Sequence, residues 1–181
     1  MHKVTLHNRT ATALTTCLLF THFSLHSVQD KCAISITPLW QELEHKNERI
    51  EQLGGKPILV AQITFKKRLQ QPMYLDSLQL QWHGPTMQSL AGSLYMKSFD
   101  KDFVPLERHL VCDGIWHKAE QKLILNFGSR QTLSAVNTFY VVFRLSPEQQ
   151  TAVKNGSFSL LPHSLPDAFR PCASSATLTL L

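Results

Sequence analysis

YLDSLQLQW, residues 74–82, alternates cleanly in its second half. Leu78, Leu80 and Trp82 fall on one side, and Gln79, Gln81 and the following His83 on the other. A period of two sends successive side chains to opposite faces of a pleated strand, so this segment has one apolar face and one wet face. Gly84-Pro85 then ends it. The same signal recurs on both sides. Lys122–Phe127 aligns Leu123, Leu125 and Phe127 before Gly128, and Phe139–Leu145 aligns Phe139, Val141, Phe143 and Leu145. Pro57–Phe65 is a nearly continuous apolar run, as expected of a central strand covered on both faces. Shorter candidates are the alternating start of Cys32–Trp40, then Leu90–Met96, Phe103–Leu106, Leu110–Val111, Ser157–Leu161 and Ala176–Leu180. Asp113-Gly114 reads as a turn between strands.

Two stretches read as helical. Leu39–Leu53 is rich in Glu, Gln, Lys and Arg and ends at Gly54-Gly55, which predicts the chain's one substantial helix. Its apolar positions, Trp40, Leu43, Ile50 and Leu53, leave the middle bare, and a hairpin through Gly54-Gly55 is the competing reading. Pro147–Lys154 predicts a short helical turn before Asn155-Gly156. Residues 162–175, with three prolines and three serines, read as an ordered loop before the last strand. About eight strands, one or two short helices and no βαβ alternation predict an all-β, antiparallel β-sandwich. No Cys–Trp–Cys spacing of the immunoglobulin kind is present.

The chain has 181 residues, 43% hydrophobic and 17% charged, which suits one globular domain. Residues 1–27 are expected to be a signal peptide or an N-terminal anchor. His2, Lys3, His7 and Arg9 open it without an acidic residue, Ala11–Leu25 is apolar, and Ser24 and Ser27 are small residues near a cleavage point. The run is shorter than the roughly twenty apolar residues of a membrane span. Cys17 precedes the most apolar residues, so Leu14–Cys17 does not make a lipoprotein box. A single domain over residues 28–181 is then expected in a secreted or periplasmic location. Contact with a membrane would run only through an uncleaved N-terminal segment.

The net charge of +5 falls to about +3 without Lys3 and Arg9, too little to argue for nucleic acid. Lys66-Lys67-Arg68 reads as a solvated strand end. Of the cysteines beyond the first segment, Cys32 and Cys172 flank the domain, and a disulfide between them would stabilise by about 4 kcal/mol on the chain-entropy argument. Cys112 with Cys172 is the alternative pairing.

Motifs that carry chemistry are sparse. HLVCDGIWH brings His109, Cys112 and His117 within nine residues, the densest set of soft ligands and the candidate metal site. His83, His163 or Cys172 would have to supply a fourth ligand. Asp100 and Asp102 are candidate calcium ligands, and they, or Asp113 with Glu120, are candidate acid–base pairs. No G-x-S-x-G, Walker or G-x-G-x-x-G element occurs, so no cofactor is expected. Asn155-Gly156-Ser157 is a formal glycosylation acceptor that also reads as a turn. Trp40, Trp82, Trp116 and Tyr95 are the aromatic residues able to form a sugar platform. Trp82 shares its face with Leu78 and Leu80 and is expected in the core, which leaves Trp116 as the candidate ligand contact. The function expected is a non-catalytic binding module at the cell envelope, for a protein or a glycan. The alternatives are a metal-binding or hydrolytic protein using His109, Cys112 and His117, and a subunit of a surface assembly that adds Ala176–Leu180 to a neighbouring sheet.

Overall fold

A computed structural model describes residues 32–43, 55–67, 71–96, 106–173 and 176–179. The expected leader (residues 1–27), Arg68, Asp100, Asp102 and Phe103 lie outside the described residues. The described chain forms ten strands: β1 (Cys32–Glu42), β2 (Lys56–Lys67), β3 (Met73–His83), β4 (Ala91–Met96), β5 (Leu110–Asp113), β6 (Ile115–His117), β7 (Lys122–Leu133), β8 (Val136–Leu145), β9 (Ser157–Leu160) and β10 (Thr177–Thr179). Two helices, α1 (Pro147–Lys154) and α2 (Arg170–Ala173), lie among them. The strands build two five-stranded antiparallel sheets in the orders β1-β2-β8-β4-β5 and β10-β9-β3-β7-β6. This is the all-β sandwich that the alternating segments predict.

The alternation decides what the sheets bury. Leu78, Leu80 and Trp82 of β3, Leu123 and Leu125 of β7, and Phe139, Val141, Phe143 and Leu145 of β8 are all buried in one core. Phe143 meets Phe158 across the layers at 5.1 Å, and Phe158 lies 4.8 Å from Trp82, its neighbour in the same sheet. Each such fully buried side chain contributes about 1.5–3 kcal/mol through removal of apolar surface from water.

The opposite face of the first sheet is also partly apolar. Leu43, Leu59, Tyr95 and Val142 are buried in a second cluster, with Leu39, Leu110 and Tyr140 packed against it. Val142 alternates with the core-facing Val141 and Phe143 and pairs with Leu59, which places this cluster on the outer face. Arg144 is the next residue in that outward row.

Two expectations need correction. Leu39–Glu42 is strand rather than helix, because β1 runs on to Glu42 and pairs antiparallel with β2, Glu42 facing Ile58. An edge strand keeps one side in water, so it tolerates a charged composition that otherwise suggests a helix. Residues 44–53 of the expected helix lie outside the described residues. Asp113-Gly114 does lie between two strands, but they belong to different sheets. Here the chain leaves β5 in one sheet and enters β6 in the other, and Gly114 N–H donates to the Gly92 carbonyl at 2.7 Å. A Cβ at Gly114 would stand 2.7 Å from Leu123 Cδ1 and 3.2 Å from the Gly92 carbonyl oxygen, so a larger residue here would force the Leu123 side chain to shift. Finally, no disulfide joins Cys32 and Cys172. The two ends of the domain do meet, but Cys172 Sγ lies 3.3 Å from the Cys32 carbonyl oxygen and hydrogen-bonds there. The Cys112–Cys172 pairing fails on topology. Cys112 is on β5 and Cys32, beside Cys172, is on β1, at opposite edges of a sheet whose strands stand about 4.8 Å apart.

β7 also continues beyond Gly128, where the sequence suggests an end. Ser77 faces Asn126 and Leu75 faces Gln131, so the residues between them bulge out of the ladder. Arg130 on the bulge pairs with Asp76 at 2.9 Å and lies 5.5 Å from the Tyr74 ring centroid.

Candidate functional site

At one end of the sandwich, β8 runs into α1 beside the loop that enters β4. Ser146 caps α1: its Oγ accepts from Gln149 N–H, and its own N–H donates to Gln149 Oε1 at 2.9 Å. Pro147 follows at the first helical position, where no N–H is needed. Gln149 Nε2 also donates to the Ser89 carbonyl at 2.8 Å, tying the helix start to the loop before β4.

That loop is held from a second side. Met87 N–H donates to Gln121 Oε1 at 2.8 Å, and Gln121 Nε2 donates back to the Met87 carbonyl at 3.0 Å. Trp116 Nε1 reaches the same carbonyl at 3.4 Å. Gln121 holds this clasp with a positive φ of 50°, an uncommon conformation for a residue other than glycine.

Between these anchors lies a cavity of about 440 Å³, lined chiefly by Arg144, Trp116, Ser89, Gln88, Ser146 and Gln149. This volume is within the range of small-molecule sites, about 300–1,000 Å³. Its walls are fixed by hydrogen bonds before any ligand arrives, so a ligand need not supply the ordering free energy. Arg144 is 6% exposed, and its Nε, sealed from solvent, finds no hydrogen-bond partner among the described residues. Buried charges are normally paired, because removing them from water unpaired is costly. Among the described residues that line the cavity there is no aspartate, glutamate, histidine or cysteine. The arrangement offers hydrogen-bond donors, a cation and an indole.

The residues singled out from the sequence are dispersed. His109 ends the single-turn helix Glu107–His109, Cys112 lies on β5, and His117 ends β6 in the other sheet. Among the described residues no three His, Cys, Asp or Glu side chains converge on a metal position. Burial, reinforced by the neighbouring Asp113 carboxylate, pushes the Cys112 thiol up to about 12, which keeps it protonated at neutral pH. Metal ligation and nucleophilic attack both need the thiolate. The possible fourth ligands are engaged elsewhere: His83 Nε2 with Ser159 Oγ at 2.8 Å, His163 Nε2 with Gln79 Oε1 at 3.0 Å, and Cys172 with Cys32. Asp113 accepts from Ser93 Oγ at 2.7 Å, while Glu120 is ion-paired with Lys122. The hydrogen bond from Lys122 holds the exposed Glu120 carboxyl below its ordinary range, the opposite of what a general acid requires.

The four aromatic residues do not form a common platform. Trp82 and Tyr95 are buried, and Trp40 carries the Lys154 ammonium 4.7 Å from its ring centroid. Trp116, half-buried, is the one of the four that lines the cavity. Arg144 escapes a reading of the core face alone. Its signal is the outward row Tyr140, Val142 and Arg144, in which two apolar residues precede a charge. A strand apolar on both faces is covered on both, so the charge ending the row is buried too.

No family model, curated protein or solved structure matches the chain.

Proposed function

We propose that the chain is an exported, non-catalytic binding module that takes a group of a protein or glycan ligand into the cavity at the α1 end of the sandwich. One observation carries this reading: a cavity with pinned walls that presents a half-buried indole and a buried arginine whose Nε has no acceptor among the described residues. Concave sites with apolar walls and a few placed polar groups are the usual form of ligand pockets. Export rests on the basic start and apolar run of residues 1–27.

Two measurements test the reading. A panel of saccharides and short peptides is titrated into the full chain while the Trp116 indole N–H is followed by NMR. At least one member should shift it saturably, and Trp116→Ala should remove the binding. A panel that leaves the Trp116 signal in place throughout would sink the proposed site. Fractionation of source cells, with the mass of the recovered chain, tests export; an intact chain confined to the cytoplasm refutes it.

A further inference from the structure

The cavity's chemistry narrows the ligand, and the narrowing rests on the reading that this cavity is the binding site. Arg144 is more than nine-tenths buried and lines the cavity, and no described residue accepts from its Nε. Among the described residues of the lining there is no carboxylate to neutralise it or to repel an incoming anion. A guanidinium has a planar fork of donors that matches a carboxylate or a phosphate. One buried positive charge balances one negative charge. A carboxylate carries that single charge at neutral pH, whereas a phosphate monoester carries about 1.5–2 and would leave a buried excess.

The rest of the lining says what the carboxylate is attached to. Trp116 offers an indole beside Leu90 and Ala91. Ser89, Gln88 and Ser146 add hydroxyl and amide groups around it. Those polar groups offer partners to an oxygen-rich ligand that a wholly apolar acid would not use. A peptide chain end is better suited by a nest of backbone N–H groups, and the Met87 N–H of this loop already donates to Gln121 Oε1. A pyranose ring has an apolar C–H face to lay on an indole and hydroxyl groups at its rim.

We propose that the cavity binds an acidic sugar, a hexuronate residue, with its carboxylate on Arg144 and its ring against Trp116.

The test compares pairs that differ only in charge. Methyl glucuronoside and methyl galacturonoside are titrated into the full chain alongside methyl glucoside and methyl galactoside, with N-acetyl-tryptophan as a chain-end acid and inorganic phosphate as a bare anion. The Trp116 indole and the Arg144 Nε–H are the NMR reporters. The expected result is that one uronoside binds at least tenfold more tightly than its neutral counterpart. Arg144→Met should abolish that preference, and Trp116→Ala should weaken the uronoside and the neutral sugar alike. Thermal unfolding of each variant confirms that it is folded. If Arg144→Met does not fold, the charge-matched comparison on the unaltered chain decides, read at the Arg144 Nε–H itself. A neutral sugar binding as tightly as its uronoside overturns the carboxylate assignment but leaves the cavity a binding site. N-acetyl-tryptophan or phosphate binding in place of the uronosides overturns the sugar assignment. If no probe moves either reporter, both the assignment and the underlying reading fall.

Discussion

Replacing Arg144 by methionine should make the unliganded protein more stable. Arg144 is 6% exposed and its sealed Nε has no acceptor among the described residues, so that donor pays desolvation without compensation. An unsatisfied buried donor costs about 1–3 kcal/mol, and exchanging buried ionic groups for apolar ones of similar size is often neutral or stabilising. Methionine keeps an unbranched stem in the outward row of β8 and removes only the charged head. Allowing for imperfect repacking, the net gain is about 1–2 kcal/mol, which in a chain of this size raises Tm by about 2–8 °C. Urea unfolding followed by circular dichroism checks it: the midpoint should rise with an unchanged slope. A variant less stable than the parent would refute the reasoning, because it would mean that the folded chain itself satisfies the guanidinium. A gain in stability accompanied by a loss of anion binding is the signature of a residue retained for its ligand.

Other perturbations have equally definite outcomes. Gln121→Gly removes the clasp on Met87 while keeping a residue at ease with positive φ, and Gln121→Ala removes both. Each should cost about 1–3 kcal/mol, the alanine variant more, with faster amide exchange at Met87; equal costs would show that the φ of 50° carries no strain. Gly156→Ala would place a Cβ 2.1 Å from Trp82 Cη2, so denaturation should show a loss of about 1–3 kcal/mol together with a changed tryptophan emission; an unperturbed variant would contradict that packing. Cys112 is protonated in the folded chain up to about 12, against an ordinary value of 9.0. Below pH 9 both folded and unfolded states keep the proton. Above it the unfolded chain releases the proton first, so stability should fall between pH 9 and 12, and this part of the fall should vanish in Cys112→Ala. At pH 8 the Cys112 thiol should alkylate far more slowly in the folded protein than in urea.

What the sequence discloses about the fold comes from period-two segments that bury one face. Leu78, Leu80 and Trp82, or Phe139 through Leu145, can satisfy their pattern in only one way. The readings that fail lie where local composition and tertiary position disagree. Leu39–Glu42 has a helical composition, but pairing with Leu59 and Ile58 makes it strand. Gly128 reads as an end and is part of a bulge. Of the site, Trp116 is legible through its place beside a turn. Arg144 is not, because its importance lies in the absence of an acceptor, which no linear pattern records. The His109, Cys112 and His117 cluster shows the reverse case, since neighbours in sequence are separated once β5 and β6 join different sheets.

The strand order also sets when the protein is able to fold. In the first sheet β2 lies between β1 and β8, so Ile58 has no partner on its inner side until Phe143 has been made. The β1–β2 hairpin is local, yet its apolar face stays uncovered while all of β3 to β7 is synthesised. Folding that depends on such distant pairings is slow, because the chain must close a long loop before contacts repay the lost entropy. A nascent chain halted before β8 should therefore remain open to proteases, and full resistance should come only once β8 and then β9 and β10, which complete the second sheet, are added.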